Sequence, residues 1–166
     1  MAIDILRRLL TLVVFCLIQA LVLNQIHLFD CATPLLYVYF VIMFPRNYPK
    51  WGVLLWSFAM GLCIDMFSNT PGMASASLTL IGALQPYLLE LFLPRDAEEN
   101  IKSSAATLGW PKFSTFTIIL VFIYCLVFFS IEALSFFNWL LWLESIVGSA
   151  VLTIALILTL DSLRKK

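Results

Sequence analysis

One carboxylate stands alone in an apolar stretch: Gly61-Leu-Cys-Ile-Asp65, with Ser57 four residues before Gly61. Spacing by four puts Ser57, Gly61 and Asp65 on one face of a helix, which another helix or a polar cavity must cover. An aspartate at the centre of a membrane helix costs roughly 2.5 to 3.5 kcal/mol, so its presence asks for a reason. Two readings are open. Asp65 is a buried acceptor for backbone amides of the Asn69 to Gly72 turn or for nearby Ser and Asn side chains, or it is a site contacted by a partner or ligand. Glu132 and Glu144 flank a later turn, 133–139; both could be solvated at an interface. Glu144 lies one turn before Gly148 on a helix with Ser145, Ser149 and Thr153, and so could face a bundle interior. An inward Glu144 would build an acidic cluster with raised proton affinity, or one answered by a basic partner.

Reactive constellations are not found. An aspartyl dyad needs two facing carboxylates, and Asp65 is the only aspartate read as well inside a span. His27 is the sole histidine, which removes zinc hydrolysis of the HExxH kind. There is no Gly-x-Ser-x-Gly elbow, Walker loop or Cys-x-x-Cys. Cys16, Cys63 and Cys125 fall mid-span as small apolar side chains, and Cys31 has no obvious partner, so no disulfide is expected. We therefore assign no catalytic, cofactor-binding or metal-ligating residue and expect no enzyme.

The elements that position Asp65 follow from hydropathy. With 62% apolar and 12% charged residues, no soluble domain fits. Apolar runs at about 7–25, 31–45, 51–68, 73–93, 114–136 and 139–161 predict an all-α integral membrane protein of six transmembrane helices in one domain, residues 1–166. Threading them alternately leaves all ten Lys and Arg on one side, which predicts cytoplasmic termini. No basic patch faces solvent, so nucleic acid is not a partner; membrane lipid is. Arg7 and Arg8 before Leu9–Leu23 look like a secretory signal without a cleavage site, hence an uncleaved first helix, whose Cys16, Ala20 and Asn24 stripe beside Gln19 forms its packing face. The second run, broken by Pro34, has the least certain limits.

Pro45-Arg-Asn-Tyr-Pro-Lys50 reads as an inner turn and Ser68-Asn-Thr-Pro71-Gly72 as an outer one. The fourth run carries Ser75, Thr79 and Ala83 at intervals of four, near Gly82, a small-residue face suited to close helix approach. Pro86 predicts a kink there. The loop 93–112 reads as a solvated connector, with a partner-docking loop as the alternative, and a short surface helix possible from Asp96 with Glu99 as its capping-box partner.

The stretch Gly61-Leu-Cys-Ile-Asp65-Met-Phe-Ser-Asn-Thr-Pro71-Gly72-Met-Ala-Ser-Ala resembles the characteristic segment of the rod shape-determining MreD family: Gly-Leu-x-x-Asp, a small-residue turn with Gly, then a small-residue helix. Length, six compact spans and basic inner loops are also similar to that family. The resemblance implies a non-enzymatic scaffold of the elongation complex in the bacterial inner membrane. By the same resemblance it would help position lateral peptidoglycan synthesis, with MreC, the MreB filament, and RodA with its class B penicillin-binding transpeptidase as implied partners. A groove of small residues around Gly61 and Gly82 would receive the MreC membrane helix, with Asp65 organising its outer rim. The family's fold resembles the substrate-binding subunits of energy-coupling-factor vitamin transporters. That kinship supplies the rival expectation, an outward pocket near Asp65 and Glu144, although the first helix lacks an Ala-x-x-x-Ala motif.

Overall fold

The computed structural model describes residues 2–22, 34–93, 103–132 and 139–164, and all regular structure in them is helical. The helices are α1 (Ala2–Leu21), α2 (Val38–Ile42), α3 (Lys50–Ser68), α4 (Met73–Phe92), α5 (Ala105–Leu108), α6 (Trp110–Glu132) and α7 (Trp139–Arg164). Three are long and apolar enough to cross a membrane: Lys50–Ser68, Trp110–Glu132 and Trp139–Leu163. Their outward residues, Leu55, Phe58, Phe122, Val147 and Val151 among them, are exposed apolar side chains, as a bilayer solvent requires. The outer turn with His27, Asp30 and Cys31, the region of Asp96 and Glu99, and residues 133–138 lie outside the described residues.

The third and fourth runs appear as helices at Lys50–Ser68 and Met73–Phe92, within a residue of their expected limits. Helix α1 begins at Ala2 rather than at residue 7, and α6 begins at Trp110 rather than at 114. For α6 the start is set by Gly109, at φ 86°, with Pro111 in the first turn, where its missing N–H costs nothing. Helix α4 runs on through Pro86 as one element.

The second run departs most from expectation. Within its described part, 34–45, the regular helix is five residues long, and everything from 34 to 42 is buried. Pro34 and Pro45 bracket a segment with no polar face to turn toward water, and a short helix that is apolar all round can only sit inside. It touches α1, α3, α4 and α6. Gln19 of α1 meets this segment at Pro34 and Leu36, while Arg8 meets it at Phe44. By helical rise those two α1 positions are about 16 Å apart, roughly half the hydrocarbon thickness.

Several contacts bring helix ends together. Arg8 near the start of α1 stacks on Tyr48 just before α3, Lys50 at the start of α3 lies over Tyr87 near the end of α4, and Phe92 of α4 meets Phe116 of α6. Asp161 near the end of α7 bonds to Ala105, ahead of α6. The start of α1, the start of α3, the end of α4, the start of α6 and the end of α7 therefore share one end of the bundle, and the basic residues Arg7, Arg8, Lys50 and Lys112 lie in those segments. The most extensive helix contact is between α3 and α4, followed equally by α4 with α6 and α6 with α7.

Candidate functional site

Asp65 sits in the last turn of α3 and closes the hairpin to α4. Asn69 caps α3 in the left-handed conformation, φ 55°, and its N–H returns to the Asp65 carbonyl. Gly72, φ 85°, reverses the chain and occupies the N-cap of α4, where it offers no side chain to the first free amides of that helix. Asp65 supplies the acceptor from across the turn. Its Oδ1 accepts from Ala74 N at 2.9 Å and from Thr70 Oγ1 at 3.1 Å, and its Oδ2 accepts from Ser75 N at 3.0 Å. The carboxylate is 6% exposed and lies at the positive end of α4, where a negative charge is stabilised. It is thus a buried acceptor for backbone amides, although those amides belong to the first turn of α4 rather than to the Asn69 to Gly72 turn.

Glycine makes this geometry possible. A Cβ on Gly61 would overlap Ser75 Cα and stand 2.7 Å from Ser75 N. A Cβ on Gly82 would overlap Ser57 Oγ and stand 2.9 Å from Ser57 Cβ. Ser57 itself donates to Val53 O at 2.7 Å, so its hydroxyl is satisfied within α3 while the side chain fills the hollow at Gly82. Ser57, Gly61 and Asp65 do share one buried face. The small residues, however, are filled by the chain's own α3 and α4, not by an open groove. Pro71 and Gly72 are exposed at the hairpin tip. Glu132 and Glu144 are both exposed, and α7 buries Ile146, Ser149, Ala150, Thr153, Ile157 and Asp161 instead, so Glu144 does not face the interior. Of the seven sequence-designated positions, Gly61, Asp65, Pro71, Gly72 and Gly82 belong to one hairpin; Glu132 and Glu144 do not join it.

No family model, curated protein or solved structure matches this chain.

A second polar constellation holds the buried segment. Gln19 donates from Nε2 to Pro34 O (2.9 Å) and accepts from Leu36 N at Oε1 (3.1 Å). Thr153 Oγ1 accepts from Leu35 N (3.0 Å), the Tyr37 and Tyr124 hydroxyls share a bond of 2.5 Å, and Tyr39 Oη donates to Asp161 Oδ1 (2.9 Å). At the far end Phe44 O accepts from both Gln85 Nε2 and Ser103 Oγ, each at 3.1 Å. A backbone leaving regular helix inside hydrocarbon must find such partners, and α1, α4, α6 and α7 each contribute. Asp161, 2% exposed, also accepts from Ala105 N at 2.8 Å, which docks α5 beneath the bundle. Asp65 is therefore not the only buried aspartate. From 103 onward the loop 93–112 is packed at three points and solvated elsewhere: Ser103, Ala105 and Leu108 are buried and Ser104 caps α5, while Ala106, Thr107 and 109–112 are exposed.

Gln19 was recognisable from the sequence as a polar neighbour of the α1 packing stripe, and Leu12, Cys16 and Gln19 are the buried residues of that helix. Gln85 and Asp161 were missed. Their signal is a side chain able to serve backbone groups placed inside an apolar run beside a run, 31–45, too short and too proline-bound to satisfy itself.

Proposed function

We propose that the chain is a non-enzymatic scaffold of the cell-elongation complex in the bacterial inner membrane, crossing six times with both termini cytoplasmic. It binds the membrane helix of MreC and acts with the MreB filament, RodA and its class B penicillin-binding transpeptidase. The observation that carries this reading is the spent state of Asp65. The Gly-Leu-x-x-Asp segment that resembles the MreD family is a folding device: each carboxylate oxygen already holds a backbone amide, and Gly61 admits α4 to van der Waals contact. A residue so engaged sets shape and does not turn over substrate.

Two further observations support the six-pass arrangement. The starts of α1 and α3 lie at the same end, so the chain between them returns across the layer, and the buried 34–44 segment is the described part of that return. Basic side chains gather at that end, as a cytoplasmic face requires. The MreC helix docks outside the α3–α4 hairpin, since the chain itself occupies the hollows at Gly61 and Gly82. The rival transporter reading needs an outward pocket served by Asp65 and Glu144, and it is disfavoured because one is consumed by α4 and the other is exposed.

Crosslinking in native membranes followed by purification and partner identification tests the proposal. The expected partners are a single-span coiled-coil protein and an actin-like filament protein. Recovery of an ATP-binding coupling subunit together with a bound vitamin would replace the scaffold by the transporter.

A further inference from the structure

At the basic end of the bundle, a cavity of about 350 Å³ opens between the first three turns of α1 and the segment leading out of α2. Asp4, Arg7, Arg8 and Thr11 line one side, and Met43 and Pro45 line the other. Its size falls in the range of small-ligand sites. The Arg8 guanidinium carbon lies 4.6 Å from the Phe44 ring centroid and 4.1 Å from that of Tyr48. Tyr48 is fixed in turn by Trp56, whose Nε1 donates to its hydroxyl at 2.9 Å. A cation held over ring faces is held through its charge and not through its donors, and a guanidinium carries five N–H groups with which to meet an oxyanion. Asp4 stands one helical turn before Arg8 and offsets one of the two cations, so the three charges sum to +1, the complement of a singly charged phosphodiester.

The wall that carries these groups is also a lipid boundary. Outside the cavity α1 presents Ile3, Leu6, Leu10 and Val13, all exposed, over which acyl chains can run while a headgroup turns inward. Basic pockets between helices on the cytoplasmic side of a membrane recognise anionic headgroups.

We propose that this cavity binds a phosphate-bearing anion, supplied by an anionic phospholipid of the inner leaflet. The inference does not depend on the scaffold reading, only on the basic end of the bundle facing the cytoplasm.

The test is native mass spectrometry of the full-length protein released from micelles doped with phosphatidylglycerol or phosphatidylcholine, with glycerol phosphate and inorganic phosphate as soluble competitors. We expect retention of phosphatidylglycerol over phosphatidylcholine. Arg7→Gln, at an exposed position that leaves folding intact, should weaken retention about fivefold. Arg8→Lys keeps the charge and removes the planar fork, and should weaken it about threefold. Lys112→Gln makes the same charge change at the same membrane face outside the cavity and should leave retention unchanged. Displacement by the soluble phosphates at matched concentration would support the anion site while assigning its source to solution. Equal retention of the two lipids, or equal losses in Arg7→Gln and Lys112→Gln, would overturn the proposal in favour of diffuse charge attraction.

Discussion

Replacing Asp65 by alanine removes the acceptor of three donors at once: Ala74 N, Ser75 N and Thr70 Oγ1. Two bonds from backbone amides to a charged acceptor have a ceiling of about 3 to 6 kcal/mol by the values found in water-soluble proteins. Bonds between membrane helices average only about 0.6 kcal/mol each, which gives a floor near 2 for three. Water resolves the choice toward the lower part of that range, because Pro71 and Gly72 are exposed and Thr70 is partly so, whereas Ala74 and Ser75 are buried. The freed hydroxyl is rehydrated and the two amides are not. We expect a loss of about 2 to 3 kcal/mol, somewhat above an ordinary N-cap deletion. Asp65→Asn retains one acceptor oxygen and turns an amide nitrogen toward the other donor, so it should fall between, with a loss of about 1 to 2 kcal/mol. Reversible unfolding in mixed micelles by increasing sodium dodecyl sulfate, followed by the fluorescence of Trp51 and Trp56 on α3, measures the series. Should Asp65→Ala match the parent within about 0.5 kcal/mol, the clasp is not structural, and the carboxylate must be reassigned to a ligand or partner.

Three other perturbations have definite outcomes. Gly61→Ala forces α4 away from α3 and should cost more, about 1 to 3 kcal/mol, than Gly72→Ala, which meets no atom within 4 Å and costs about 1 kcal/mol for its positive φ; the same unfolding series ranks them. Gln19→Leu strands Pro34 O and Leu36 N, so amide exchange at Leu36 should accelerate about tenfold or more while the α3–α4 amides hold their protection. Asp161→Ala releases Ala105 N and the Tyr39 hydroxyl, and limited proteolysis should then cut within 103–109 faster than in the parent, with α3 and α4 left intact.

What the sequence disclosed and what it concealed divide along a physical line. Periodic spacing revealed the face Ser57–Gly61–Asp65 because three residues at intervals of four bear on one neighbour, and that neighbour, α4, follows after a turn too short to lead elsewhere. Hydropathy placed α3 and α4 well, since each is a continuous apolar run with Pro or Gly at its borders. For 31–45 it gave the apolar run but not its form, because a regular helix and a proline-bounded buried segment have the same apolar content, and only length and prolines separate them. Small residues at Gly61 and Gly82 announced close packing without saying whose helix would approach. Glu144 was ambiguous because α7 is apolar around most of its circumference, so no stripe marks its inner side. Asp161 was hidden by position: an acid close to a terminal Arg-Lys-Lys looks like a solvated charge, and nothing local shows that Tyr39 and Ala105 converge on it.

The buried stretch from Pro34 to Phe44 also dictates an order of assembly. Translation delivers it when only Gln19 of its holders has been made; Gln85, Ser103, Tyr124, Thr153 and Asp161 all emerge later. Until α7 leaves the ribosome, the Leu35 amide lacks its Thr153 acceptor and the Tyr39 hydroxyl lacks Asp161. The centre of the bundle is therefore the last part to set, and biogenesis of this chain must shelter a nascent segment until the helices that will enclose it arrive.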